Sequence, residues 1–193
     1  MTRRELLRLA ASAAAASAIA PAQPSRRLPI AFSTLGCPKW DWTTIVRNAS
    51  AWGYPAIELR GILDQMDLPK CPEFTGTRLK TSLQDLSAAG LVISDLGASA
   101  QMHEPDPARR ARHMDEVRRF IDLAHQLKAS YVRVFPDRFI KGEDRSVTFA
   151  RISEGLRQLG EYAAPAGVTV ILESHGEFRR ASDILPALEG AKP

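Results

Sequence analysis

The chain has 193 residues, 45% of them hydrophobic and 25% charged, with 26 basic against 22 acidic residues and only two cysteines. That length suits one domain that can bury its own core without a disulfide or metal staple. The composition excludes a disordered, collagen-like, coiled-coil or disulfide-scaffold chain.

Residues 1–22 read as an export signal. Arg3, Arg4 and Arg8 make a basic start, and Leu9 to Ala20 is an uncharged, alanine-rich run. The run falls short of the about 20 residues needed to span a bilayer, so no stable membrane span is expected. Ala20-Pro21-Ala22 supplies the small residues of a cleavage end. Paired arginines, two hydrophobic positions and a basic one resemble a twin-arginine signal. That implies passage through the twin-arginine export machinery and a periplasmic or otherwise exported bacterial protein. Without Arg3, Arg4, Arg8 and Glu5 the remainder has 23 basic and 21 acidic residues, a net of +2. The remaining arginine clusters, Arg109-Arg110-Ala111-Arg112 and Arg118-Arg119, sit among acids on one expected helix. They read as a solvated face, and no nucleic-acid partner is expected.

Residues 23–29 form a linker, and 30–193 carry the fold. Ile30–Leu35 reads as a strand ended by Gly36-Cys37-Pro38. Trp42, Ile45, Ala49 and Trp52 then recur at helical spacing behind Asp41 as N-cap, and Gly53 stops that helix. Ala56–Arg60 is the second strand, and a loop with Pro69, Cys71 and Pro72 leads to a helix over about 77–89. Cys37 and Cys71 lack metal-type spacing, leaving a disulfide and two separate thiols both open. Leu91–Leu96 is the third strand, followed by a loop over Gly97 to Pro105. Asp106-Pro107 is a strong helix start. Tyr131–Phe135 is the fourth strand, a helix follows over about 145–164, and Val168–Glu173 is the fifth strand. A last helix starts near Ser182 with Pro186 in its first turn or so.

Strand–helix alternation means an α/β fold with a parallel sheet. Strand starts near 30, 56, 91, 131 and 168 recur about every 34.5 residues, so eight units would need about 276, close to the roughly 250 of a (β/α)8 barrel. Residues 30–193 hold about five such units. Two architectures compete: the first five units of a TIM-type (β/α)8 barrel, and a complete five-stranded doubly wound sheet. Alternation along the strands favours the barrel. Ile57 and Leu59 oppose Glu58 and Arg60; Val132 and Val134 oppose Arg133; Val170 and Leu172 oppose Glu173. Each of these strands thus has one aliphatic face and one face charged near its C-terminal end, where barrel enzymes keep their active sites. The third strand, with Asp95 beside Leu91 and Ile93, does not follow this pattern. A five-unit barrel has two open edges, which predicts a self-associating chain and allows homo-oligomers.

Glu173-Ser174-His175 is the sharpest local signal. A carboxylate and an imidazole two residues apart at a strand end point the same way and suit a divalent ion. A buried Glu paired with an arginine competes evenly with that reading. His103, in the loop after the third strand, lies at the same end of the fold. Arg133 and Arg60 suit a substrate hydroxyl, carboxylate or phosphate, or else neutralise Glu58 or Glu173. Asp137 and Arg138 are weaker candidates. No phosphate-cradling glycine loop and no G-x-S-x-G elbow is present.

These residues resemble a family. Phe32-Ser33-Thr34-Leu35-Gly36-Cys37-Pro38 with Trp42, Ala56–Gly61, Tyr131–Phe135 and Val170–Gly176 resemble the first, second, fourth and fifth units of the sugar phosphate isomerase/epimerase family, the xylose-isomerase-like barrels. The resemblance covers about 30–190. It implies a metal-dependent isomerase or epimerase that abstracts a proton beside the carbonyl of a sugar or sugar-like polyol ketone. It implies a divalent cofactor (Zn, Mn, Co or Mg) with Glu173 as first ligand and acid/base. His175 matches a substrate-contacting position, and His103, Arg133, Glu58 and Arg60 are the further substrate-binding candidates. The family's remaining ligands come from strands six to eight, so these 193 residues alone are expected to be inactive. A non-catalytic sugar-binding barrel and a metal-dependent phosphodiesterase or endonuclease of the same barrel type are the alternatives. The low net charge and the export signal argue against the second.

Overall fold

The computed structural model describes residues 30–191. The export signal read over 1–22 and the linker at 23–29 lie outside the described residues.

Five strands form one parallel sheet in the order of the chain: β1 (Ala31–Ser33), β2 (Ala56–Leu59), β3 (Val92–Gln101), β4 (Tyr131–Phe135) and β5 (Thr169–Leu172). Each is followed by a helix: α1 (Trp42–Ala51), α2 (Gly76–Ala89), α3 (Pro107–Leu127), α4 (Arg145–Ala163) and α5 (Ala181–Glu189). Order 1-2-3-4-5 is that of a barrel wall, whereas a doubly wound sheet reverses direction at a switch point. The fold is therefore the first-named alternative, five consecutive β/α units of TIM-barrel type.

Three of the five helices, α1, α3 and α4, start where an aspartate side chain holds one of the first N–H groups. Asp41 accepts from Thr44 N, Asp106 from Arg109 N and Asp144 from Ser146 N, each at 2.8 Å. Pro107 occupies the first position of α3, where no N–H is needed. Gly90 ends α2 in the left-handed conformation.

One face of the sheet is closed. Ile57, Leu59, Ile93, Leu96, Val132 and Val134 are buried beneath helices, against Val117, Phe120 and Ile121 of α3 and Ile152, Leu156 and Leu159 of α4. Burying such side chains is worth roughly 1.5–3 kcal/mol each, which makes this layer the main source of stability. The other face is open: Tyr131, Thr169 and Ile171 are solvent-exposed there. No helix among the described residues is long and apolar enough to cross a membrane.

Three segments depart from the sequence expectation. The first strand, expected over Ile30–Leu35, ends at Ser33, and Thr34–Gly36 forms a 3-10 turn. The turn carries the Thr34 hydroxyl inward, where it accepts from Arg60 N at 2.8 Å and Gly61 N at 3.2 Å and so closes the end of β2. The third strand does not stop at Leu96 but runs to Gln101, taking in Gly97–Gln101 of the expected loop. It does so with irregular pairing: Ile57 faces Ile93 but Glu58 faces Asp95, and Gly97 faces Arg133 while Gln101 faces Phe135. The extra residues are bulges, which re-aim side chains at a strand end. Pro186 lies at the sixth residue of α5, later than the first turn.

Cys37 and Cys71 are both free, which decides the question the sequence left open. Cys71 is buried, and burial pushes its thiol pKa up to about 12, so it behaves as a small apolar side chain.

Candidate functional site

The charged residues of β2, β3, β4 and β5 meet at the C-terminal ends of the strands, around Arg133. β4 presents Val132 and Val134 to the helices, so Arg133 must point to the opposite face. Its guanidinium is 6% exposed and fully engaged: Nε meets Glu173 Oε2 at 2.7 Å, Nη2 meets Glu58 Oε1 at 3.6 Å, and Nη1 donates to the Ala98 carbonyl at 3.1 Å. The Phe135 ring lies 4.1 Å from its Cζ. One cation thus ties together carboxylates from strands on either side. The neutralising role weighed for Arg133 is present, and Glu173, 43% exposed, still faces solvent.

Arg60 extends from the end of β2 into the same cluster. It is 8% exposed; one terminal nitrogen donates to Ser99 Oγ at 3.1 Å, and Nη1 is buried without a hydrogen-bond partner. Burial, and then the like charge of Arg133, lower its pKa, with Glu116, Glu58 and Glu173 opposing. Gly97 makes room for both guanidinium groups. A Cβ there would lie 2.5 Å from Arg133 Nη2 and 2.6 Å from Arg60 Cδ, so this position admits no side chain while the pair is in place.

Asp95 faces Glu58 across β2 and β3. Burial raises its carboxyl pKa, the Ser94 hydroxyl lowers it, and Glu58 adds to the rise. Glu116 of α3 accepts from Ser99 N at 2.7 Å, which holds the bulged end of β3 beside Arg60.

The two histidines sit on one loop system but not in the Arg133 cluster. His175 Nδ1 lies 3.1 Å from Asp137 Oδ1, and its ring packs on Phe135 at 4.4 Å. Asp137 takes a left-handed backbone (φ 74°) and its carbonyl accepts from Glu177 N at 2.8 Å. Gly176, φ +62°, lies against that carbonyl, so the loops after β4 and β5 interlock where glycine alone fits. His103 is almost wholly buried. Its Nε2 accepts from Arg138 Nε at 3.1 Å, and its Nδ1 is buried without a hydrogen-bond partner. Burial holds its pKa below the ordinary histidine value, against the nearby Asp137 carboxylate. Sequence reading placed His103 in a loop at this end of the fold. In the structure it is an anchor of that loop: the His103 carbonyl accepts from Arg151 at 3.1 Å.

Eight candidates were read from the sequence, of which the weaker two, Asp137 and Arg138, contact His175 and His103 respectively. Glu58, Arg60, Arg133 and Glu173 come together in one cluster, His175 stands beside it on Phe135, and His103 lies behind the loop. Ser99 and Glu116 escaped the reading. The first is hidden in a small-residue run that looked like loop, the second in an arginine-rich helix face that looked solvated.

A divalent ion needs several oxygen or nitrogen donors converging on one point. Among the described residues no group of three His, Cys, Asp or Glu side chains is placed to do this. Glu173 offers a carboxylate, but Arg133 holds it, and the His175 nitrogen turned to Asp137 is taken. The residues described here do not fit the ion on their own.

A model of the xylose isomerase-like TIM barrel family matches residues 46–190. Comparison with curated proteins finds no match. Among solved structures, the chain resembles the D-psicose 3-epimerase of Clostridium cellulolyticum H10 determined with D-tagatose, at 14% identity and a TM-score of 0.66, over 86% of this chain and 60% of that one. It also resembles the IOLI protein with a binding zinc atom, at 15% identity and a TM-score of 0.72, over 85% and 59%. A third is the probable 3-DHS dehydratase AsbF of petrobactin synthesis in Bacillus anthracis, at 18% identity and a TM-score of 0.68, over 85% and 59%. At these identities the likeness is one of fold, and the chain spans about 60% of the length of these structures.

Proposed function

The chain belongs to the xylose isomerase-like TIM barrel family, and from that premise we propose that it serves a sugar isomerase or epimerase acting on a polyol ketone. The observation that carries this reading is the single Arg133 guanidinium held between Glu58 and Glu173 at the C-terminal ends of parallel strands, where barrel enzymes bind and react their substrates.

In this reading Arg60, whose Nη1 has no hydrogen-bond partner, supplies a donor to a sugar oxygen, while Arg133, fixed by Phe135 and Ala98, holds Glu173 in place. Glu173, the more exposed of the carboxylates bound to Arg133, accepts the proton beside the carbonyl. His175 presents its free nitrogen toward substrate, and Asp137 fixes the ring. A divalent metal (Zn, Mn, Co or Mg) in such an enzyme polarises the carbonyl as a Lewis acid. Metal dependence here rests on ligands additional to those described, and no step is assigned to it. The reading includes export of the protein, supported by the twin-arginine-type start.

Saturation-transfer NMR of the 193-residue chain with D-psicose, D-tagatose and D-fructose tests the binding half. Transfer to ring protons is expected, and Glu173→Gln weakens it. No transfer, or transfer unchanged in Glu173→Gln, overturns the assignment. The chain alone is expected not to interconvert these sugars, and turnover with added Mn or Co would overturn that part.

A further inference from the structure

Outside the Arg133 cluster, the turn after β5 and the starts of α4 and α5 form an open surface cavity of about 480 Å³ lined by Arg145, Gly176, Glu177, Arg179, Arg180 and Asp183, of which all but Gly176 and Asp183 are exposed. Three of the six are arginines, and two are pinned with most of their donors unused. Arg179 Nε donates to the Gly176 carbonyl at 2.6 Å, which occupies one N–H of the five on its fork. Arg145 lies 4.2 Å over the Phe139 ring, itself stacked at 4.3 Å on the buried Phe178. Its distance to Asp183 is 3.7 Å, an ion pair without a hydrogen bond. The Arg180 side chain makes no hydrogen bond or ion pair among the described residues, and only its backbone carbonyl is engaged, by Asp183 N and Ile184 N.

The acidic residues of the lining are spoken for. Asp183 faces Arg145, and Glu177 Oε2 accepts from Phe139 N at 2.7 Å. Arg180, the N-cap of α5, makes no side-chain capping bond, so the N–H groups ahead of Asp183, whose own N–H bonds the Arg180 carbonyl at 2.9 Å, face the same end. The turn itself is fixed by Gly176 against the Asp137 carbonyl.

Guanidinium forks match phosphate oxygens in pairs, and forks already held in place lose little freedom on binding. We propose that this cavity binds phosphate, either free or as the terminal group of a phosphorylated sugar. The second source rests on the sugar-binding reading of the Arg133 cluster; the first does not.

Calorimetric titration of the full chain with inorganic phosphate, at constant ionic strength in chloride, tests the cavity. Phosphate binding is expected, and the double variant Arg179→Gln/Arg180→Gln weakens it roughly tenfold. Asp183→Asn, which releases Arg145 from its carboxylate, strengthens it. An unchanged affinity in the double variant, with an unchanged circular dichroism spectrum, overturns the proposal. Should the double variant unfold, an affinity for phosphate that does not rise in Asp183→Asn overturns it instead. Fructose 6-phosphate then separates the sources. Tighter binding than inorganic phosphate, with only the excess lost in Glu173→Gln, supports the sugar ester. Equal binding of the two overturns that source and leaves free phosphate as the ligand.

Discussion

Substituting Gly176 by alanine tests whether the loops after β4 and β5 are held as one unit. An added Cβ overlaps the Asp137 carbonyl oxygen and lies 2.8 Å from its carbon and 3.1 Å from Cα. All are backbone atoms, so no flexible side chain can give way. The left-handed backbone contributes about 1–2 kcal/mol of strain for alanine. Separating the loops removes the Glu177 N to Asp137 O bond and the His175–Asp137 contact, together about 1–2 kcal/mol more. The expected loss is about 2–4 kcal/mol, a large share of the 5–15 kcal/mol typical of a domain. Gly53 supplies the control. Its φ is +81°, but nothing lies within 4 Å of an added Cβ, so Gly53→Ala reports the backbone strain alone, about 1–2 kcal/mol. Urea unfolding of the two variants side by side gives the difference. If the two losses agree within about 0.5 kcal/mol, the interlock contributes nothing and the reasoning fails.

Three further expectations follow from the charged cluster and its surroundings. Arg133→Met leaves Glu58 and Glu173 without their shared cation and the Ala98 carbonyl without its donor; a loss of about 2–3 kcal/mol by urea denaturation is expected, tempered by the exposure of Glu173, and a loss under about 0.5 kcal/mol contradicts it. Asp95 has a carboxyl pKa raised by burial, so its contribution to stability is complete below the unfolded value and is lost as pH rises through the folded one; Asp95→Asn is therefore expected to stabilise the protein at pH 7, by about 0.5–1 kcal/mol, and to lose that advantage toward pH 3, which thermal melts across pH would show. His103 has its pKa depressed by burial, so its contribution is whole above about 6.5 and is lost as pH falls through the folded value; His103→Gln should flatten the dependence of unfolding free energy on pH between 7 and 5, and equal slopes in the two proteins would refute this.

The alternation of strands and helices was legible because β2, β4 and β5 keep a strict two-residue rhythm, with valine, isoleucine and leucine on one side and charge on the other. β3 defeated the same method for a definite reason. Simple alternation puts Ile93 and Asp95 on one face, yet the added residue at Ser94 flips the parity. Asp95 then joins Glu58 while Ile93 and Leu96 both go to the core. The grouping of Glu58, Arg60, Arg133 and Glu173 was suggested by their shared place near strand ends. Which arginine holds which carboxylate depends on register between strands, and that is written in no single segment. Asp137 shows the same limit. A residue after Pro136 reads as loop, and only the left-handed backbone and the contact with Gly176 reveal why the loop has one shape.

The order of the sheet bears on how the protein is made. Every strand after β1 pairs with the one just before it in the chain, so during synthesis each finds its template already exposed. At about 5–20 residues per second, a unit of this size leaves the ribosome in roughly two to seven seconds, which is slow beside the microseconds of local helix and hairpin formation. Assembly can therefore proceed one unit at a time from the N-terminal side, and the chain need never search among distant partners. The Arg133 cluster is the exception: Glu58 must wait, desolvated only in part, until β4 and then β5 arrive to complete it.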